Sequence, residues 1–136
     1  MKTRAIFTLI FIIAFTGLVN SCKKGEGASQ QLVQINALAN GKTTTISEGQ
    51  TLAITLGDPG DGGYTFDPLQ YDQSVLKLVV HKLNPPPANS PTGDFGTDTW
   101  SFSALKAGAT TVVITASQGN NANSTVAMFS GTIAVK

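Results

Sequence analysis

Few residues in this chain of 136 could carry out chemistry. The single Cys, Cys22, cannot form an intrachain disulfide, and together with the single His, His81, it supplies too few ligands for an ordinary transition-metal site. His81 alternates with apolar residues of a predicted strand and has no nucleophile partner nearby in the sequence. Ser101 and Ser103 lie within another strand pattern, without a nucleophile elbow. The residues therefore predict a protein that is not an enzyme and needs no cofactor.

The charged residues exclude two further classes of site. Asp58, Asp61, Asp67 and Asp72 could supply oxygen ligands to calcium, but the Asp-x-Asp-x-Asp-Gly spacing is absent, and Asp is also a common turn residue. Nine Lys or Arg against eight Asp or Glu leave no basic stripe for a phosphate backbone. We expect no metal site and no nucleic-acid partner.

The N-terminal region has the pattern of a targeting segment. Lys2 and Arg4 precede an almost wholly apolar run at residues 5–19. That run is shorter than the roughly 20 residues of a membrane-spanning helix, so a permanent span is the weaker interpretation. Residues 1–21 are predicted to be a cleaved signal peptide.

The end of this segment, residues 19–22 (VNSC), resembles the lipobox of bacterial lipoproteins. The resemblance implies that Cys22 is acylated, for example with palmitate, and becomes the first mature residue. The protein would then be anchored by lipid in the bacterial cell envelope, at the outer membrane if the organism has one. The alternatives are that Cys22 is a lone buried thiol or that the segment undergoes ordinary secretory cleavage. Residues 22–31 would form the lipidated Cys and a polar tether, and residues 32–136 a folded domain.

The mature chain alternates apolar and polar residues with a period of two, which is typical of strands. Turn residues such as Asn, Asp, Pro and Gly separate these runs. Seven or eight short strands fit an all-β, Ig-like antiparallel β-sandwich. Gly131, inside the last strand, is predicted to mark a bulge or bend. The predicted core positions are Leu52, Ile54, Leu56, Leu76, Leu78, Val80, Trp100, Phe102 and Ala104.

The order of the turns and strands carries a family resemblance. Residues 47–50 (SEGQ) lead into an apolar strand and then into residues 57–64 (GDPGDGGY). Residues 93–96 (GDFG) precede the aromatic strand at 100–102 (WSF), and an Ala-Gly corner follows at 107–108. This layout, from residue 46 to 118, resembles the chagasin family, Ig-like inhibitors of papain-type cysteine peptidases.

The resemblance implies that three loops at one end of the sandwich bind a papain-like cysteine peptidase. Pro and Gly in these loops limit the entropy lost on binding and let the backbone approach a catalytic Cys closely. We expect the protein to be a monomer. The candidate binding residues are Asp58, Pro59, Gly60, Asp61, Gly62, Gly63, Gly93, Asp94, Phe95, Gly96, Gln118, Gly119, Asn120 and Asn121.

Two loops depart from the family pattern. Residues 60–62 (GDG) replace the family's Thr-Thr and are one residue longer, and residues 117–123 (SQGNNAN) lack its Arg-Pro-Trp. An acidic Asp61 near a catalytic thiolate and the loss of an aromatic anchor predict weaker or redirected binding.

Three alternatives stay open at this point. The loop at residues 58–63 could be only a tight turn, and Phe95 could be either an exposed anchor or a side chain that fastens its own loop to the sandwich. The whole domain could instead be a non-inhibitory structural or adhesion module of the bacterial envelope with the same fold.

Overall fold

The computed structural model describes residues 31–119 and 122–136. The signal peptide at residues 1–21, Cys22, nearly all of the predicted tether, and Asn120 and Asn121 lie outside the described residues. No helix within the described ranges is long and apolar enough to span a bilayer. Short 3-10 turns occur at Ala37–Ala39, Gly60–Gly62 and Ala122–Ser124. The strands are β1 Leu32–Asn36, β2 Thr43–Ile46, β3 Thr51–Gly57, β4 Tyr64–Phe66, β5 Leu76–Asn84, β6 Thr97–Ala104, β7 Gly108–Gln118 and β8 Val126–Val135.

The strands form two four-stranded sheets, in the orders β1-β3-β6-β5 and β2-β8-β7-β4. The predicted all-β sandwich is therefore confirmed. Its pairing is antiparallel except at two edges, where β1 runs parallel to β3 and β2 runs parallel to β8. A period of two does not distinguish these cases, because both kinds of edge strand alternate side chains between faces in the same way.

The core lies between the inner faces of the two sheets. Along β6, every second residue is buried, so Trp100, Phe102 and Ala104 point inward as predicted. Leu52, Ile54 and Leu56 of β3 are also buried, which confirms that prediction. The opposite sheet contributes Val112, Ile114, Phe129, Ile133 and Val135.

The predicted alternation along β5 is wrong beyond Leu78. The register against β6 shifts between Leu78 and Val80, so Val79 is an extra residue and the strand's two faces exchange. Val80 is consequently exposed instead of buried, and His81, predicted on the outer face, pairs with Trp100 on the inner one.

Gly131 does not mark the bulge that the sequence predicts. It pairs regularly with Val112, and the register shift of β7 against β8 lies between Ile114 and Thr115. The glycine instead makes room for an aromatic ring, since a Cβ at residue 131 would lie 2.7 Å from Cζ of Phe129. Phe129 is fully buried, so its ring has no free space into which it could move.

We expect Gly131→Ala to lower the free energy of unfolding by about 1–3 kcal/mol, because the added methyl group overpacks the core against Phe129. Gly57→Ala is the matched control, since a Cβ there meets no atom within 4 Å. Its effect should stay within about 0.5 kcal/mol. Urea denaturation of both variants measures the difference, and equal stabilities would contradict the packing described for Gly131.

Candidate binding site

Three loops leave the sandwich at one end. The first loop, residues 58–63, joins β3 to β4; the second, residues 85–96, joins β5 to β6; the third, residues 119–125, joins β7 to β8. In one sheet, the ends of β3 and β5 both pair with Thr97, where β6 begins. In the other sheet, the start of β4 pairs with Gln118, the last residue of β7. The pairing therefore brings the second loop beside the first, and the third loop beside the first on its other side.

The first and second loops are joined by backbone and side-chain contacts. The amide of Asp58 donates a hydrogen bond to the carbonyl of Gly96, with 3.0 Å between nitrogen and oxygen. The ring of Phe95 lies against Gly60, where a Cβ would come within 2.8 Å of the ring's Cδ1. Phe95 is still 48% exposed. The two alternatives for Phe95 are therefore not exclusive, because one part of the ring contacts the first loop and another part is accessible.

The second loop closes on itself around Gly96. This residue has a φ of +89°, and a Cβ there would lie 2.2 Å from the carbonyl oxygen of Asn84 and 2.9 Å from the nitrogen of Pro86. Both obstacles are backbone atoms that cannot swing away. Only glycine fits this position, and its carbonyl is the acceptor for the first loop.

The remaining predicted residues of the second loop support its shape. Asp94 Oδ1 accepts a hydrogen bond from the amide of Gly96 at 2.8 Å. Hydrogen bonds from the Ser90 side chain and the Gly96 amide hold the pKa of Asp94 below its usual value. Gly93 has a φ of +94° with open space around it.

The third loop is joined to the first through Gln118. Its Nε2 donates to the carbonyl of Gly62 at 2.6 Å, and its backbone amide donates to Oγ of Ser124 at 2.8 Å. Gly119 follows in the left-handed region, with a φ of +52°. The first loop is therefore the middle member of a surface formed by three connected loops.

The first loop has a defined internal geometry. The Asp58 carboxylate accepts a hydrogen bond from the Gly60 amide at 2.7 Å, and Pro59 precedes the 3-10 turn Gly60–Gly62. Gly63 then adopts a φ of +72°, and its amide donates to the Gly60 carbonyl at 2.9 Å. Asp61 is exposed at the tip. The loop is thus a tight turn, as one alternative held, and it is also the centre of the loop surface.

Asp67 and Asp72, the other two acids considered as calcium ligands, each have hydrogen-bond partners of their own. Oδ2 of Asp67 accepts from Oγ1 of Thr115 at 2.7 Å and from Oγ of Ser117 at 3.0 Å, which ties the segment after β4 to β7. Hydrogen bonds from the side chain and backbone of Ser74 lower the pKa of Asp72. Within the described ranges, no group of three His, Cys, Asp or Glu side chains is placed to hold a metal ion.

Asp98, which was not predicted from the sequence, lies below the loops. It is 4% exposed, and its Oδ1 lies 2.5 Å from Nε2 of His81. The His81 ring stacks on Trp100 with centroids 4.7 Å apart. Burial raises the pKa of Asp98, and the Asp58 carboxyl acts in the same direction, while the hydrogen bond with His81 opposes them. The sequence pattern could have located Asp98, because it stands two residues before Trp100 and so falls on the inward face predicted for Trp100 and Phe102.

These features define a class: a rigid β-sandwich that presents connected loops at one end, as loop-based binding domains do. A family model described as chagasin family peptidase inhibitor I42 matches residues 45–133, a range that includes all three loops. The match spans more than half of the sequence, so the chain belongs to the chagasin family of peptidase inhibitors. Members of this family are inhibitors and not enzymes, which confirms the prediction made from the residues.

Two solved structures show the same fold at low sequence identity. The cysteine protease inhibitor EhICP2 from Entamoeba histolytica superposes with a TM-score of 0.65 at 14% identity, covering 77% of this chain and 95% of its own. The solution structure of amebosin gives 0.55 at 20% identity, with 78% and 99% covered. PbICP-C in complex with falcipain-2 gives 0.39 at 16% identity, with 79% and 91% covered. A search of curated proteins gives no match.

Two glycine variants test the close approach within the second loop. Gly96→Ala and Gly93→Ala both place a methyl group on a left-handed residue, which costs roughly 1–2 kcal/mol. Only Gly96→Ala also collides with backbone atoms. We therefore expect Gly96→Ala to lose about 3 kcal/mol or more of unfolding free energy. Its Asp58 amide resonance should also shift, because the acceptor carbonyl moves. Equal losses in the two variants would contradict the geometry.

Proposed function

We propose that this protein inhibits papain-type cysteine peptidases by inserting its three-loop end into the active-site cleft. One observation carries the proposal: in a chain of this inhibitor family, the first loop is held between the other two by the Asp58–Gly96 and Gln118–Gly62 hydrogen bonds. A loop held in this way loses little conformational entropy on binding.

The chemistry of the loops fits steric blockade without a covalent step. Gly60, Gly62 and Gly63 present backbone to the partner, so the chain can come close to a catalytic Cys. The half-exposed Phe95, beside Gly60, supplies an aromatic surface of the kind that dominates many interfaces. Asp61 at the tip favours a partner with basic groups at the rim of its cleft, since like charge would oppose binding near a thiolate.

The sequence of the third loop favours binding to a different peptidase from those bound by inhibitors that carry Arg-Pro-Trp. Gln118 uses its side chain to hold Gly62, and the sequence that follows has small polar residues instead of a Trp. Most of the apolar contact would then come from the second loop. The lack of Arg-Pro-Trp in the third loop also favours the other candidate function, a structural or adhesion module without inhibitory activity.

Phe95→Ala tests whether the loop surface binds the enzyme. The chain from residue 23 onward is titrated into a papain-like cysteine peptidase with residual activity as the readout. We expect stoichiometric inhibition by the unmodified chain and a loss of affinity of roughly tenfold or more in Phe95→Ala, because an aromatic anchor is removed.

Leu105→Ala is the matched control for this experiment. Leu105 is 46% exposed, close to the 48% of Phe95, and it follows the end of β6 that lies away from the loops. Its removal should change affinity by no more than about twofold. Equal losses of affinity in the two variants would contradict binding through the loop end. Absence of inhibition across several such peptidases would favour the structural or adhesion module.

We further propose that Cys22 is acylated and holds the domain at a membrane of the bacterial cell envelope. The basic start, the apolar run at residues 5–19 and the VNSC sequence support the proposal. Several acyl chains at about 0.8 kcal/mol per buried CH2 would give stable anchoring. The tether at residues 23–31 would let the loop end reach partners at a limited distance, at most about 3.3–3.6 Å per residue.

Cys22→Ala should abolish incorporation of labelled palmitate and release the protein into the soluble fraction, because the acceptor thiol is gone. Ser29→Ala, in the tether, should remain labelled and membrane-bound. Fractionation and labelling of the two variants in a bacterial host provide the measurement. Labelling of Cys22→Ala, or its retention in the membrane after signal cleavage, would refute the anchor.

A further inference from the structure

A buried carboxyl group lies directly under the loop surface without a full set of partners. Asp98 stands at the loop end of β6, on its inner face, and pairs in register with Leu56 and Leu83. Its Oδ1 makes the contact with His81, whereas its Oδ2 is buried and has no hydrogen-bond donor among the described residues. A buried carboxylate oxygen without a hydrogen-bond donor lowers the stability of the folded state, so a proton on this group or a nearby donor would be favourable.

The neighbour of Asp98 on the loop side is a second carboxyl group. The amide of Asp58 donates a hydrogen bond to the Gly96 carbonyl and so extends the pairing of β3 with β6, in which Leu56 pairs with Asp98. The Asp58 side chain therefore lies on the same face as Asp98, two residues further along this pairing. The Asp58 carboxyl also helps to raise the pKa of Asp98. Asp58 also connects two loops, since its carboxylate accepts from the Gly60 amide and its own amide donates to the Gly96 carbonyl. His81, Asp98 and Asp58 thus form a continuous row, here named the carboxyl network, from strand β5 to the first loop.

Two carboxylates that lie close together repel each other unless a proton lies between them. One proton shared by Asp98 and Asp58 would give the buried Oδ2 its missing partner and turn the repulsion into a hydrogen bond. The network would then hold Asp58 in the orientation that accepts from Gly60. Without that proton, Asp58 would be pushed away from Asp98 and the base of the first loop would move.

We propose that Asp98 and His81 are positioning residues of the binding site, which hold the first loop in its binding shape through one proton shared between Asp98 and Asp58. Neither residue contacts the partner in this arrangement. His81 orients Asp98 by its hydrogen bond and is itself held by stacking on Trp100. The role in binding rests on the proposed function, but the effect on loop shape can be measured in the free protein.

The surroundings contain few other groups that could titrate in place of this network. Strands β3, β7 and β8 carry no titratable side chain. On β5, Lys82 pairs with Thr99 and therefore lies on the other face of the sheet. Asp61 lies at the tip of the first loop, and Asp94 is engaged with Gly96 in the second. Tyr64 of β4 packs on Gly62.

The direction of the pH effect follows from Asp98. Its pKa is raised above 3.8 in the folded protein, so the folded state holds the proton over a range of pH in which the unfolded chain has lost it. Stability from this group is fully present below 3.8 and falls as pH rises through the folded pKa. The binding shape of the first loop is therefore favoured on the acidic side of that pKa.

The first experiment follows the Gly60 amide resonance of the free protein by NMR between pH 4 and pH 9. In the unmodified chain it should shift as the shared proton is lost. Asp98→Asn should abolish that shift, because the Asn amide donates to Asp58 and its oxygen accepts from His81 at every pH. Asp94→Asn is the matched control, since Asp94 accepts from a loop amide in the same way but lies outside the network.

The second experiment compares inhibition constants of the unmodified chain and Asp98→Asn at each pH. Their ratio cancels the pH dependence of the peptidase itself. We expect a ratio near one at the acidic end and a growing advantage of Asp98→Asn at higher pH. His81→Phe, which keeps a ring against Trp100 but loses the hydrogen bond, should weaken inhibition by about tenfold.

The outcomes separate the two proposals. If Asp98→Asn and the unmodified chain show the same Gly60 titration, the carboxyl network does not position the loop, whatever the inhibition assay gives. A ratio that stays constant with pH would likewise overturn it. If no peptidase is inhibited while the Gly60 titration disappears only in Asp98→Asn, the proposed function fails and the network's effect on loop shape stands.

Discussion

The packing around Trp100 connects the sheets of this protein with its loops. The indole is buried on the inner face of β6, with the His81 ring stacked on it from β5 and the Phe66 ring meeting it edge-on from β4 in the opposite sheet. Asp98, two residues earlier on the same face, lies at the loop end of the core. Because cores are close-packed, movement of one ring would displace strands β4, β5 and β6, which border the first and second loops.

The bulge at Val79 decides which β5 side chain meets this tryptophan. Without it, Val80 would face inward and His81 would face solvent. With it, an imidazole replaces an aliphatic side chain at the edge of the core and can reach Asp98. Bulges often redirect side chains near functional sites, and this one places the only His of the chain beneath the candidate loops.

The loops combine a constrained backbone with sequence that departs from the family. At Gly96 a Cβ would collide with backbone atoms, and the Gln118 side chain donates a hydrogen bond to the Gly62 carbonyl. The scaffold that orients the first loop is thus present although the Thr-Thr tip and the Arg-Pro-Trp segment are not. Residues that hold the loops and residues that contact the partner can change independently, because the loop-holding residues are fixed by backbone geometry and the contact residues by the partner's cleft.

The all-β class, the inward faces of β3 and β6, and the positions of the three loops could be predicted from the sequence, since they follow from local alternation and turn chemistry. The sequence also carried the family resemblance. It could not show the bulge in β5, the role of Gly131 or the two parallel edges, because each depends on which strand lies alongside. The proximity of Asp58 and Asp98 was equally hidden, since these residues are far apart in the chain and share a face only where β3 and β6 pair. Only tertiary structure brings such groups together, and only there does burial change what a carboxyl group does.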